Sequence, residues 1–267
     1  MLLFLSLLII LMCAFIGYLV YMAYHDTIDD HTIYNQALPK EIGNVTLFFI
    51  SDVHTRYIKE TTLNEIKKPI DLVIIGGDLT ESKVPLSRVR ENLKRLKQLH
   101  APIYFIWGNN DFEVNVESLE RILYEEEVTI LANKGMHIHK NGASYFLLGL
   151  DCCNKREANI EAGLKGNDGE YCIMVTHDPS AFYALDQEHI EKLNFVLSGH
   201  THGGQIRIFG MGPYSRGGYR KYKDTEILTS EGYGFTKLPF RLGTRSECHV
   251  ITITHQSSET YSEKYGN

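Results

Sequence analysis

The segment Gly199-His200-Thr201-His202-Gly203-Gly204-Gln205 places two imidazoles one residue apart in a glycine-rich turn, directly after the apolar run Phe195-Val196-Leu197. Imidazole nitrogen ligates zinc, manganese or iron, and glycine lets the backbone bend sharply and come close to an ion. An exposed glycine-rich turn would explain the same letters, so the oxygen ligands must come from elsewhere. Four other segments offer them. Asp52 and His54 follow Leu47-Phe48-Phe49-Ile50, and Asp78 follows Leu72-Val73-Ile74-Ile75-Gly76-Gly77. Asn109 and Asp111 follow Ile103-Tyr104-Phe105-Ile106-Trp107-Gly108, and His177 follows Cys172-Ile173-Met174-Val175-Thr176. Short runs rich in Val, Ile and aromatics read as buried strands. In open α/β sheets ligands bind outside the carboxyl ends of the strands, so five segments direct polar residues at one edge. A single Asp after a strand is ordinarily a turn former or a helix cap; that explanation would have to hold separately at every segment.

The ordered set Asp52-x-His54, Gly77-Asp78, Gly108-Asn109-Asn110-Asp111, His177 and Gly199-His200-x-His202 resembles the calcineurin-like metallophosphoesterases. The likeness spans about residues 45–255. The form Gly-His-Thr-His-Gly-Gly-Gln is most similar to the bacterial membrane- or wall-associated branch, some members of which cleave simple phosphodiesters or UDP-2,3-diacylglucosamine. The resemblance implies that Asp52, His54 and His202 hold one metal, that Asn109, His177 and His200 hold a second, and that Asp78 bridges them. Two divalent ions about 3.5–4 Å apart clamp the attacking and leaving oxygens of an in-line displacement, and a water between them loses its proton near neutral pH. A mixed imidazole and carboxylate set suits manganese, iron or zinc better than magnesium or calcium. The expected reaction is hydrolysis of a phosphodiester or pyrophosphate bond, with no Ser or Cys nucleophile. The candidate catalytic residues are Asn110, Asp111 and His200.

One position departs from the family pattern. Asn110 stands where the resemblance calls for the His that gives a proton to the leaving oxygen. Asn does not titrate, although it can donate a hydrogen bond to a phosphoryl oxygen. General acid catalysis is worth about 10²–10⁴-fold when the leaving group needs a proton. An alkoxide needs one; a phosphate leaving a pyrophosphate does not. Asn110 therefore points to acidic leaving groups, unless Asp111 or a distant His supplies the proton, or the chain is a catalytically weak metal-bearing binding module.

Strands near 45–51, 71–75, 102–107, 144–150, 171–176, 194–198, 226–230 and 247–254 must carry these residues. Between them Thr62 and Glu65 have the spacing of a capping box. Pro85 opens a helix through about Leu99, with Leu86, Val89, Leu93, Leu96 and Leu99 at helical period. Asn115 caps a helix through Tyr124, and Pro179 opens another. Early βα alternation followed by further strands gives an α/β chain with mixed sheets; the resemblance sharpens this to a four-layer αββα sandwich.

Residues 2–24 carry no charge. At 1.5 Å per residue they cover a hydrocarbon core of about 30 Å. Tyr18, Tyr21 and Tyr24 gather where an aromatic belt would lie. A cleaved signal peptide normally has a basic start and a shorter apolar stretch; here the first Lys or Arg is Lys40. Cys13 follows Met12, too bulky for a lipobox. The organisation expected is an uncleaved anchor at 1–24, a polar tether at 25–44, the phosphoesterase domain at 45–255 and a tail at 256–267. Lys40, Arg56 and Lys59 favour a cytoplasmic domain by the positive-inside rule. Cys152, Cys153, Cys172 and Cys248 form no spaced framework and point the same way. The hydrophobic start resembles extracytoplasmic relatives, which leaves the side open. A net charge of −6 disfavours broad nucleic-acid binding.

Arg207–Lys223 is the candidate substrate surface away from the metals. It carries Arg207, Arg216, Arg220, Lys221 and Lys223 among glycines and tyrosines, with no acid. Arg pairs with phosphate and Tyr can stack on a base or line an acyl groove; a basic surface beside an anchor could also meet anionic headgroups. Asp151, after the strand at 144–150, could shape the same mouth. The partner expected is a phosphorylated small molecule or a lipid-linked one.

Overall fold

The computed structural model describes residues 1–152 and 156–255. The expected tail at 256–267 and Cys153 lie outside them. The strands are β1 (Asp26–Tyr34), β2 (Asn44–Ile50), β3 (Leu72–Ile75), β4 (Ile103–Phe105), β5 (Thr129–Ile130), β6 (Lys134–Lys140), β7 (Ala143–Leu150), β8 (Cys172–Thr176), β9 (Phe195–Ser198), β10 (Gly218–Tyr222), β11 (Thr225–Thr229) and β12 (Ser246–Thr254). The helices are α1 (Leu2–Tyr24), α2 (Glu60–Asn64), α3 (Leu86–Leu96), α4 (Val116–Glu125), α5 (Ile160–Gly163), α6 (Ser180–Tyr183) and α7 (Gln187–Ile190).

Two six-stranded mixed sheets face each other, in the orders β1-β12-β2-β3-β4-β5 and β10-β11-β9-β8-β7-β6. Period-two side-chain alternation makes the layers. In β2, Val45, Leu47 and Phe49 enter the core between the sheets, while Phe48 and Ile50 meet α2, α3 and α4 through Leu63, Val89, Leu93 and Leu119. In β7, Leu147 faces the other sheet, while Phe146 and Leu148 pack with Phe182 and Ile190 of α6 and α7. Both faces are covered, which is why these strands read as continuous apolar runs.

The expected helices form. In α3, Val89, Leu93 and Leu96 make one buried stripe, and Asn115 caps α4 by accepting from the Ser118 backbone N–H. Thr62 and Glu65 do not form a capping box: α2 starts at Glu60, and Glu65 ends it. Thr62 is turned to another use, donating to Asp26 Oδ2 at 2.8 Å.

The expected tether is also corrected. Asp26–Tyr34 is β1, running parallel to β12 with Asp29 opposite His249. Beyond it, Leu38 and Ile42 are fully buried. The stretch read as polar because β1 is an edge strand, and charged residues on an edge discourage pairing with another chain. Asp26 at its start is a hub. Its carboxylate takes Arg56 Nη2 at 2.6 Å and the Tyr233 hydroxyl at 2.6 Å. Burial raises its pKa, but Arg56 and its hydrogen-bond donors outweigh that and hold the carboxyl below its usual range.

The topology fixes where chemistry can occur. β2, β3 and β4 are parallel neighbours, as are β7, β8 and β9. The turns after β2, β3, β4, β8 and β9 carry the expected metal residues to one end of the sandwich.

Candidate metal centre

Asp52, His54 and His202 form one compact group of donor atoms, and Asp78, His177 and His200 form another. In the first, His54 Nε2 lies 3.0 Å from His202 Nε2, and His202 Nε2 lies 3.4 Å from Asp52 Oδ1. In the second, His200 Nδ1 lies 3.1 Å from His177 Nε2, which is 3.2 Å from Asp78 Oδ2. The same Asp78 oxygen is 3.9 Å from His54 Nε2, so it faces both groups. Asn109 lines the mouth with Asp78, His200 and His202, in a cavity of about 580 Å³.

The turns that hold these residues are strained. Asp52, His54, Asp78, His200 and His202 all have positive φ, between 49° and 70°. A side chain in that region costs on the order of 1 kcal/mol. Two glycines admit the crowding. A Cβ on Gly108 would lie 2.2 Å from the Asp78 backbone nitrogen, and one on Gly199 would lie 2.4 Å from Asp52 Oδ2.

Charge fits cations here. Burial works against a charged His177 ring, but Asp78 and Asp52 override it and raise its pKa well above the usual value. Burial opposes charge on His54 too, and Glu81, Asp78 and Asp52 raise it. His202 is the opposite: burial, then His54 and Arg241, push its pKa well below the usual value and keep the ring neutral. Paired ring nitrogens among carboxylates are an arrangement that divalent metal satisfies. The remote nitrogens are anchored as ligand rings require: His177 Nδ1 donates to the Gly76 carbonyl at 2.9 Å, and His54 Nδ1 lies 3.0 Å from Glu81 Oε2.

The other expected residues divide. Asn110 is at the mouth; its backbone N–H donates to Asp78 Oδ1 at 2.7 Å, its side-chain oxygen accepts from Asn109, and its Nδ2 donates to Glu113. Asp111 is fully buried and accepts from the backbone N–H groups of Asp78, Thr80 and Gly108. It ties the turns after β3 and β4 together through these bonds. Burial and the Asp78 charge push its carboxyl up to about 7. Asp151 is also buried and does not line the mouth.

The basic side chains of Arg207–Lys223 do not line the mouth. Arg207 folds onto the carbonyls of Gly203, Gly210 and Tyr214. Arg216 pairs with Glu231, Arg220 donates to Thr229, and Lys221 faces Glu226. Arg220 and Lys221 serve the β10–β11 hairpin, because alternation along β10 sets their direction; Arg216 lies just before that strand. Tyr214 does line the mouth, and the cation there is Lys237. Lys237, Glu81, Glu113 and Arg241 escaped the sequence reading. Arg241 is fully buried, donates to the carbonyls of Glu231, Gly232 and Gly234, and lies 3.2 Å from His202 Nδ1. No local motif marks any of them; Glu113, three residues after Asn110, had proximity alone as a signal.

A third group, Asp29, His31 and His249, also brings donor atoms together at the β1–β12 edge. Its rings contact each other at 3.2 Å, and His249 Nε2 meets Ser230 Oγ at 3.0 Å.

Comparison with known proteins agrees with this arrangement. Residues 45–204 match the sequence profile described as calcineurin-like phosphoesterase. The Bacillus subtilis (strain 168) "Uncharacterized protein YpbG" is 39% identical over 211 residues, 78% of this chain and 81% of that protein. A Danio rerio "Transmembrane protein with metallophosphoesterase domain" is 30% identical over 244 residues, 82% of this chain and 55% of that protein. Among solved structures, TT1561 of Thermus thermophilus shares the fold, with a TM-score of 0.51 at 10% identity over 70% of this chain and 89% of that one. With its two facing sheets, its strand-end histidines and carboxylates and the profile that spans them, the chain belongs to the calcineurin-like phosphoesterase family, a class of metal-dependent phosphoester hydrolases.

Proposed function

We propose that this is a membrane-anchored, dinuclear metal-dependent phosphoesterase that favours acidic leaving groups. One observation carries the reading: Asp78 Oδ2 faces both donor groups, the place a bridging carboxylate takes. Asp52, His54 and His202 would hold one ion, and Asn109, His177 and His200 the other. Two such ions supply charge to the phosphoryl oxygens and an activated water. This chain's own residues set the rest. Glu81 and the Gly76 carbonyl orient His54 and His177. Asn110 is fixed by its backbone bond to Asp78 and offers its side-chain amide to the substrate. Lys237 provides a cation at the mouth for a phosphate oxygen.

Without a titratable group at 110, the leaving oxygen must depart with little protonation. That favours a pyrophosphate, as in a UDP-sugar lipid such as UDP-2,3-diacylglucosamine, or an aryl ester. Anchoring is supported by α1, which has no charged residue and is exposed from Leu2 through Tyr18. Its last turn is fitted to the domain, with the Tyr24 ring 5.4 Å from Phe235, a contact that an uncleaved helix explains.

The test is manganese-dependent hydrolysis of bis(p-nitrophenyl) phosphate, UDP-2,3-diacylglucosamine and an alkyl phosphodiester, with Asp78→Asn as the control. The expected result is turnover of the first two well above the third. Equal rates on all three would favour a nonspecific phosphodiesterase. Rates no better than Asp78→Asn on any substrate would favour a metal-bearing binding module.

A further inference from the structure

Just after the His202 turn the chain makes a tight hairpin. The Ile208 N–H donates to the Met211 carbonyl at 2.9 Å and the Met211 N–H returns a bond to Ile208 at 3.0 Å. The two residues between, Phe209 and Gly210, have φ of 50° and 80°. A two-residue turn with positive φ at both positions favours Asn-Gly or Asp-Gly. Phe at the first position is strained, and its ring is 96% exposed. Ile208, Met211, Tyr214 and Leu238 are exposed as well. A bulky apolar residue that is disfavoured by the backbone and unburied by the fold needs another environment.

Hydrogen bonds hold the base of the hairpin in place. The Arg207 guanidinium binds the carbonyls of Gly203, Gly210 and Tyr214 across its base. The Arg207 N–H donates to Leu242, and the neighbouring Arg241 N–H donates at 3.1 Å to the carbonyl of Leu19, inside α1. Leu19 lies about 7 Å before the end of that helix at 1.5 Å per residue. The base of the apolar hairpin is therefore tied, through Leu242 and Arg241, to the end of α1 that meets the domain. The same loops form one wall of the metal mouth: Gln205, Tyr214, Thr236 and Lys237 line it, and Gln205 Nε2 donates to the carbonyls of Thr236 and Leu238.

We infer that Ile208, Phe209 and Met211, with Leu238, form an apolar collar that enters the lipid bilayer beside α1, so that the metal mouth opens at the membrane surface and takes a phosphorylated amphiphile from it. The inference rests on the proposed anchoring of α1. Continuity with that helix identifies the occupant as lipid: both surfaces are apolar and exposed, backbone bonds link the hairpin's base to Leu19, and cations flank them. Lys237 lines the mouth, and Lys59 Nζ donates to the Tyr24 carbonyl at the helix end.

Full-length protein in phosphatidylglycerol–phosphatidylcholine vesicles tests this with brominated lipids. Phe209→Trp should give a blue-shifted emission quenched at shallow bromine depths, above the baseline of the buried Trp107. Tyr124→Trp, on exposed α4, should stay unquenched. Equal behaviour of the two would overturn the collar, as would a Phe209→Trp shift that tracks protein concentration rather than lipid, the mark of self-association. In activity, Ile208→Ser/Phe209→Ser/Met211→Ser should lose at least tenfold on a diacylglycerol p-nitrophenyl phosphodiester in vesicles. Its rate on soluble bis(p-nitrophenyl) phosphate should hold. Equal loss on both would also overturn the collar. If the native protein hydrolysed neither, the phosphoesterase reading would fail, and quenching would still report on the collar.

Discussion

The chain gathers histidines and carboxylates at two places, the strand-end turns and the β1–β12 edge, and builds them differently. At the turns, every ligand candidate follows a parallel strand, five have left-handed backbone, and ring nitrogens face each other with their remote nitrogens anchored. At the edge, Asp29, His31 and His249 sit on regular strands. There Arg245 lies 3.5 Å from Asp29, and Glu247 lies 3.4 Å from His249. Burial and His249 lower the His31 pKa, and Arg245 answers the Asp29 carboxylate. Donor proximity is common to both regions; strained turns and anchored remote ring nitrogens set the proposed metal centre apart.

Substitutions can break or sharpen that contrast. The largest effect is expected from Gly108→Ala, whose Cβ would collide with Asp78. Losing the geometry around a two-metal centre removes several kcal/mol of transition-state stabilisation, about 10³-fold in kcat/KM, read on bis(p-nitrophenyl) phosphate. Asp26→Asn acts on the other region. It leaves the buried Arg56 without its carboxylate and should cost about 3 kcal/mol in denaturant unfolding. Its pH dependence has a definite sign. The folded-state pKa of Asp26 lies below the ordinary 3.8, so its stabilisation is complete above that value and is lost as pH falls through the folded-state value. The variant should flatten the acid limb of the stability curve.

Asn110→His should raise alkyl phosphodiester turnover by about 10²-fold and change aryl ester turnover little; equal gains on both would remove the leaving-group argument. Glu81→Gln should lower metal affinity by about 10-fold, the scale for a residue that orients a ligand, measured by manganese titration. The smallest effect belongs to the edge: His31→Gln with His249→Gln should leave metal content unchanged and activity within about twofold. A drop in bound metal there would erase the contrast between the regions.

The gathering of the candidate ligands was legible because each stands where a run of Val, Ile and aromatics stops, as at Ile50 before Asp52 and Val175 before His177. The α3 stripe and the Asn115 cap were legible for the same reason: local period and local chemistry decide them. What escaped is set by tertiary position. β1 hides its pairing behind Asp29 and Asp30, because an edge strand needs charge. Arg241 meets His202 from 39 positions away, and Lys237 reaches the mouth from a loop with no motif. The direction of Arg220 and Lys221 depends on the β10 register, which composition does not encode.

The central claim is that Asp78 joins two ions at the strand-end turns. Anomalous diffraction from crystals grown with manganese tests it directly. The account predicts two peaks about 3.5–4 Å apart, one beside Asp52, His54 and His202 and one beside Asn109, His177 and His200, with Asp78 between them. A single peak, or strong density at Asp29, His31 and His249 instead, would contradict it.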